Sequence, residues 1–137
     1  VCTAVFSPDD RSVLTACSDG AVRLFDARSC NCRRIFPRNG GPVRSAVFSP
    51  DGQSILIASD DSTAKMFSVH TGRLLQSFVG HEGIVWSAAF AEDGAKVLTA
   101  SSDGTAKVWN AASGDCERTL CGHCDMVFAA SFAPDLL

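Results

Sequence analysis

Few residues of this 137-residue chain have the types and spacing to carry chemistry. His81 and Asp103, with Thr99 and Ser101 between them, contain the parts of an acid–base relay in which an imidazole activates a hydroxyl and a carboxylate orients the imidazole. Such a relay also needs an exposed nucleophile and donors for an oxyanion, and the sequence has no nucleophile elbow. Elsewhere only Asp60, Arg44 and scattered serines are at hand, too few for convergent acid, base and nucleophile. Cys121-Gly122-His123-Cys124 has the look of a metal half-site, and Cys30-Asn31-Cys32 of another. A structural zinc needs four convergent ligands, and Cys32 and Cys121 lie 89 residues apart. Cys121 stands at a position that Val79 occupies in an earlier copy of the pattern described below, which fits a buried thiol. No glycine-rich loop leads from a strand into a helix, so nucleotide chemistry has no support. The expectation is a chain that is not an enzyme and takes no cofactor and no metal.

Composition narrows the partners. The hydrophobic content of 46% is enough for a packed core, and the net charge of -3 argues against a general nucleic-acid surface or a polybasic membrane surface. Basic residues such as Arg23, Lys65 and Lys107 are mostly scattered singly. No apolar run reaches the roughly 18 residues of a spanning helix. Seven cysteines, an odd number out of step with the repeat, do not read as a disulfide framework. The expectation is a reducing, intracellular location, cytoplasmic or nuclear.

The candidate groups are positioned by a unit that recurs every 42 residues. Phe6-Ser7-Pro8-Asp9 returns as Phe48-Ser49-Pro50-Asp51, as Phe90-Ala91-Glu92-Asp93 and as Phe132-Ala133-Pro134-Asp135. Asp19 returns as Asp61 and Asp103, and Phe25 as Phe67 and Trp109. A period of this length marks a repeat architecture. Each unit reads as four short strands, because its apolar runs are only four to six residues long and no window sustains a 3.6-residue period. The runs are 2–7, 13–17, 22–25 and 32–36, then 43–48, 54–59, 63–67 and 74–79, then 85–90, 96–101, 105–109 and 116–121. The run 127–132 opens a fourth unit. Asp19-Gly20 suits a two-residue hairpin turn, since both residue types tolerate positive φ. Consecutive strands should pair antiparallel. The resulting sheets are apolar on both faces and must stack face to face to bury them.

This pattern resembles the WD40 repeat of the β-propeller family. Gly80-His81, Phe90-Ala91-Glu92-Asp93-Gly94 and the segment from Val97 through Asp103-Gly104 to Trp109-Asn110 carry the likeness. Phe25-Asp26 and Phe67-Ser68 hold the place of the Trp-Asp dipeptide in the other copies. The resemblance implies an all-β fold, a partial propeller of four-stranded antiparallel blades: blade one 1–37, blade two 38–79, blade three 80–121 and the start of a fourth at 122–137. It also implies a structural tetrad of His81, Thr99, Asp103 and Trp109, with Ser101 as the alternative hydroxyl. A buried Asp must be hydrogen-bonded, and either imidazole nitrogen can supply that bond while the other continues towards the hydroxyl and the indole. Blade two departs from the pattern, with Arg38-Asn39, Ile57 and Phe67 at the other positions and only Asp61 kept, so it should rely on packing.

Propellers typically close with about four to eight blades. Three blades and one strand therefore read as part of a longer chain whose remaining blades complete the ring, or as a ring completed by a second copy. The first strands begin with Cys2, Arg44, Trp86 and Phe128 at equivalent positions, and Ser18, Asp60 and Ser102 precede the turn aspartates. By the family resemblance these lie at the end of the blades where partner peptides commonly dock. Arg44, Asp60, Trp86, Ser102 and Phe128 are the candidate binding face, with inter-blade packing the competing role for the two aromatics. The functional expectation is a non-catalytic scaffold for other proteins or peptides, without nucleic acid or membrane. The alternative is a regulatory or targeting propeller of a larger protein with a kinase, ubiquitin-ligase or nucleotide-switch module elsewhere.

Overall fold

The structure is a computed structural model and describes residues 3–37, 41–122, 127 and 130–132. Among the described residues twelve strands follow one another. Blade one has β1 (Thr3–Phe6), β2 (Ser12–Ala16), β3 (Val22–Asp26) and β4 (Cys32–Phe36). Blade two has β5 (Val43–Phe48), β6 (Ser54–Ser59), β7 (Thr63–Ser68) and β8 (Leu74–Val79). Blade three has β9 (Val85–Phe90), β10 (Lys96–Ser101), β11 (Ala106–Asn110) and β12 (Cys116–Leu120). Each blade is a separate sheet whose strands pair in sequence order. All ladders are antiparallel. The run 127–132 lies mostly outside the described residues. Val127, Ala130, Ser131 and Phe132 are described and are not in a strand. The Val127 N–H donates to Ser101 O at 2.9 Å. No helix of the described residues is long and apolar enough to cross a membrane.

Strand alternation divides the apolar residues between two cores. On β6, Ile55 and Ile57 join Leu14, Val22, Leu24 and Phe36 of blade one. The intervening Leu56 and Ala58 join Val85, Val97 and Trp109 of blade three. Both faces of blade two are therefore covered, and the period-2 geometry of a strand explains how one segment serves both cores. The aromatic contacts repeat with the sequence. Phe36 meets Phe67 with ring centroids 5.9 Å apart, and the equivalent Phe78 meets Trp109 edge-on at 5.7 Å. Such pairs add about 1 kcal/mol beyond the area they bury. Phe6 and Ile35, each 64% exposed, stand on the face of blade one turned away from blade two. Their ladder partners are Val13 and Arg23, which alternate with the core residues Leu14, Val22 and Leu24.

The Asp-Gly turn differs from the two-residue hairpin expected from sequence. The Gly20 N–H donates to Cys17 O, and the Cys17 N–H donates to Ala21 O. Only Gly20 has positive φ, at 86°, so the loop has three residues, a type I turn closed by a left-handed residue. One positive-φ position suffices because the third residue absorbs the twist that a two-residue loop would have to supply. Ser62 occupies the same place in blade two with φ 73°. A β-carbon in the left-handed region is unfavourable by about 1 kcal/mol or more, partly offset by glycine's freedom in the unfolded chain. Ser62→Gly is therefore expected to stabilise the protein by about 0.5 kcal/mol, read as a raised urea midpoint. A lowered midpoint would assign the turn's stability to the serine side chain.

Candidate functional site

His81 lies in the link between β8 and β9, Thr99 in β10, Asp103 in the β10–β11 turn and Trp109 on β11. Thr99 pairs with Lys107 and Val97 with Trp109, so Thr99 and Trp109 share the face turned towards blade two. There the groups meet in one chain of hydrogen bonds. His81 Nδ1 is 2.9 Å from Asp103 Oδ2, and His81 Nε2 is 2.6 Å from Thr99 Oγ1. The Trp109 indole N–H donates to the same Oγ1 at 2.9 Å. The indole can only donate and the carboxylate can only accept, so with a neutral imidazole one set of directions remains. Nδ1–H donates to Asp103, the Thr99 hydroxyl donates to Nε2, and Thr99 accepts from the indole. The imidazole is neutral in this arrangement. Burial pushes its pKa below the ordinary histidine value, and the pull of Asp103 only partly opposes that.

Asp103 has further partners. Its Oδ1 accepts from the Thr105 hydroxyl at 2.6 Å and the Thr105 N–H at 2.9 Å, and its Oδ2 also accepts from the Glu82 N–H at 3.1 Å. Burial pushes the carboxyl up, but the bonds from Thr105, His81 and the Glu82 N–H outweigh it, leaving the pKa well below the usual carboxylate range. Ser101 does not supply the network's hydroxyl. Its Oγ accepts the Asp103 N–H at 3.2 Å and holds the turn. Thr99 and Ser101 are fully buried, and the Thr99 hydroxyl is already engaged on both sides. Full burial leaves it no approach path for an acyl substrate, so the network works as a brace rather than as a nucleophile.

A second cluster lies where β5 and β9 begin. The Arg44 guanidinium forms a two-point ion pair with Asp60, Nε to Oδ1 and Nη2 to Oδ2, the latter at 2.6 Å. Its Cζ sits 4.8 Å from the centre of the Trp86 ring on the neighbouring blade. Trp86 is half-buried and belongs to neither core. Ser102 follows β10 of the same blade, with its N–H on Ile84 O at 2.9 Å and its Oγ close against Gly83. Arg44 thus joins Asp60 to Trp86, and Ser102 takes part in neither of these two contacts. Phe128 and Cys2 lie outside the described residues.

Comparison with known families settles the architecture. The WD domain, G-beta repeat family matches residues 1–26, 30–68 and 72–110; each stretch ends with the third strand of a blade, and the second and third begin with the last strand of the blade before. The chain belongs to the WD40 family. No curated protein matches it.

The WD40 copies differ in how they hold the turn aspartate. In blade two Asp61 Oδ1 accepts the Thr63 hydroxyl at 2.6 Å and the Thr63 N–H at 3.0 Å, as Asp103 does from Thr105. Lys65 Nζ, 3.1 Å from Asp61 Oδ2, takes the place of His81. Ile57 and Phe67, 1% and 3% exposed, stand where Thr99 and Trp109 stand. Hydroxyl and indole are lost together, so no buried polar group is stranded. In blade one the Ala21 N–H donates to Asp19 Oδ1 at 2.8 Å, and alanine has no hydroxyl to add. Thr63, Thr105 and Lys65 were not among the residues picked out by sequence. Their signal was a threonine two places after the turn aspartate in the second and third WD40 copies.

The cysteines require a correction. Cys121 is exposed rather than buried, because β12 forms the outer edge of its blade, and Val79 at the equivalent place is 69% exposed. Cys30 and Cys32 are exposed as well. His123 and Cys124 lie outside the described residues. Among the described residues no three His, Cys, Asp or Glu side chains gather to hold a metal.

Proposed function

We propose that this chain is a non-catalytic scaffold that binds partner peptides at the end of the blades carrying Arg44, Asp60, Trp86 and Ser102. WD40 domains generally act as platforms for other proteins, and the structure contains three stacked blades of that kind. The observation that carries the reading is the Arg44–Trp86 pair. A tryptophan outside both cores is held under a guanidinium that Asp60 anchors from the other side. The pair bridges two blades, so a ligand would meet a preset surface of aromatic and arginine character, residue types enriched at binding hot spots. Pre-ordering limits the entropy lost on docking.

Trp86→Ala tests this. Peptides selected for binding to the intact chain from a random display library should bind the variant at least tenfold more weakly, with unchanged circular dichroism and melting temperature. Unchanged affinity would remove Trp86 from the docking surface. Loss of folding would make it a packing residue.

A further inference from the structure

Blades one and two also meet at the opposite end of β5 and β6, in a cleft of about 390 Å3 whose lining includes Asp9, Arg11, Arg33, Arg34, Asp51 and His70. The repeat supplies an internal comparison. One repeat further on, Gln53, Leu75, Gln76 and Ala112 stand at the positions of Arg11, Arg33, Arg34 and His70, and of these Ala112 lines the cleft between blades two and three. That second cleft is lined by Asp51, Glu92 and Asp93 and by no basic side chain. One repeat geometry thus carries an arginine cluster at one interface and an acidic lining at the next.

Holding the blades together does not account for the arginines. Arg34 reaches across the interface, donating from Nη1 to Thr71 O at 3.1 Å and from Nη2 to His70 O at 2.7 Å. At the next interface a neutral amide makes the same link, Gln76 Nε2 to Ala112 O at 3.0 Å. Arg33 has one long bond, Nη1 to Ser12 Oγ at 3.3 Å. The Arg11 guanidinium has no hydrogen bond or ion pair among the described residues. The carboxylates of the cleft are engaged in their own turns. Asp9 Oδ1 accepts the Ser7 hydroxyl at 2.6 Å and the Arg11 N–H at 3.0 Å, and Asp51 Oδ1 accepts the Ser49 hydroxyl at 2.6 Å and the Gln53 N–H at 2.9 Å. Phe48, Val69 and Pro8 add apolar surface to the same cleft.

We propose that this cleft receives a phosphorylated side chain of a partner peptide. The phosphoryl oxygens lie on Arg11 and Arg33, whose planar forks match them two bonds at a time, and Arg34 adds positive charge from the blade junction. Apolar residues flanking the phosphorylated one lie along Phe48 and Val69. This site is separate from the Arg44–Trp86 end and does not depend on it.

Fluorescence anisotropy tests it, with a labelled heptapeptide carrying one phosphoserine among leucines, its unphosphorylated twin, and inorganic phosphate as competitor. The phosphopeptide should saturate the protein at least tenfold more tightly than the twin and weaken as salt rises. The Arg11→Gln/Arg33→Leu/Arg34→Gln protein should bind it at least tenfold more weakly. That variant installs the residues that the next repeat carries at the same positions, so the fold has a precedent for it. Should its circular dichroism change, Arg11→Gln alone decides by the same tenfold criterion. Equal binding of the twin, or undiminished binding by the variant, overturns the proposal. Displacement by inorganic phosphate at the peptide's own concentration would also overturn it, by showing that the flanking residues contribute nothing.

Discussion

Thr99→Ile is expected to lower stability by about 3 kcal/mol, although isoleucine already stands at the same position of blade two. The difference lies in the neighbours. Ile57 packs in a core with Phe67 and meets neither an imidazole nor an indole N–H. At position 99 the same side chain would strand His81 Nε2 and the Trp109 N–H, which both rest on the Thr99 hydroxyl. Each stranded buried group costs about 1–3 kcal/mol. The fuller test is a double-mutant cycle with Trp109→Phe, which restores half of blade two's solution. The double variant should be less destabilised than the two single losses combined, by about 1 kcal/mol or more. Urea midpoints of the four proteins measure this. Additivity within about 0.3 kcal/mol would show that Thr99 does not join the two rings energetically.

Asp103→Ala should cost about 2 kcal/mol or more, because the carboxylate receives two N–H groups, a hydroxyl and the imidazole at once. The pH dependence follows from the same bonds. Asp103 is held below its unfolded pKa of about 3.9, so the stability it contributes is complete above that pH and is lost as pH falls through the folded value. His81 is also held below its unfolded value, about 6.5. A buried base that resists protonation adds stability above that pH and loses it as pH drops, so the two groups act in the same direction. The melting temperature should be level above about pH 7, then fall in two stages, below about pH 6.5 and below about pH 4. A melting temperature that rises from pH 7 to pH 5 would mean that the imidazole is protonated in the fold and that the Thr99 bond runs the other way.

The strands were legible because the repeat marks them three times over. Val43–Phe48, Ser54–Ser59, Leu74–Val79, Val85–Phe90 and Lys96–Ser101 match the runs read from sequence, each ended by a turn that breaks the apolar pattern. Thr105 shows where such reading stops. By residue type it belongs to a strand, yet β11 begins at Ala106, where the ladder with Leu120 starts, whereas Thr63 of blade two, bound to its aspartate in the same way, pairs with Val79 and opens β7. Similarly, a two-residue turn could not be told from a three-residue one at Asp19-Gly20, since both place glycine at the positive-φ position. His81, Thr99, Asp103 and Trp109 could be picked out through the family's pattern, whereas the choice of Thr99 over Ser101 needed the coordinates. Contacts between blades were the least accessible. Nothing in the local sequence says that Arg34 reaches the His70 carbonyl or that Arg44 lies over Trp86, because both depend on how one sheet is set against the next.

Among the described residues no strand of one blade pairs with a strand of another, so the sheets are joined by side-chain packing and a few cross-links such as that of Arg34. Cooperativity along the arc is therefore nearest-neighbour in character. Blade two cannot open without exposing Ile55 and Ile57 on one side and Leu56 and Ala58 on the other. A change that loosens blade two therefore reaches both cores at once, and the packing of blades one and three responds to that single sheet.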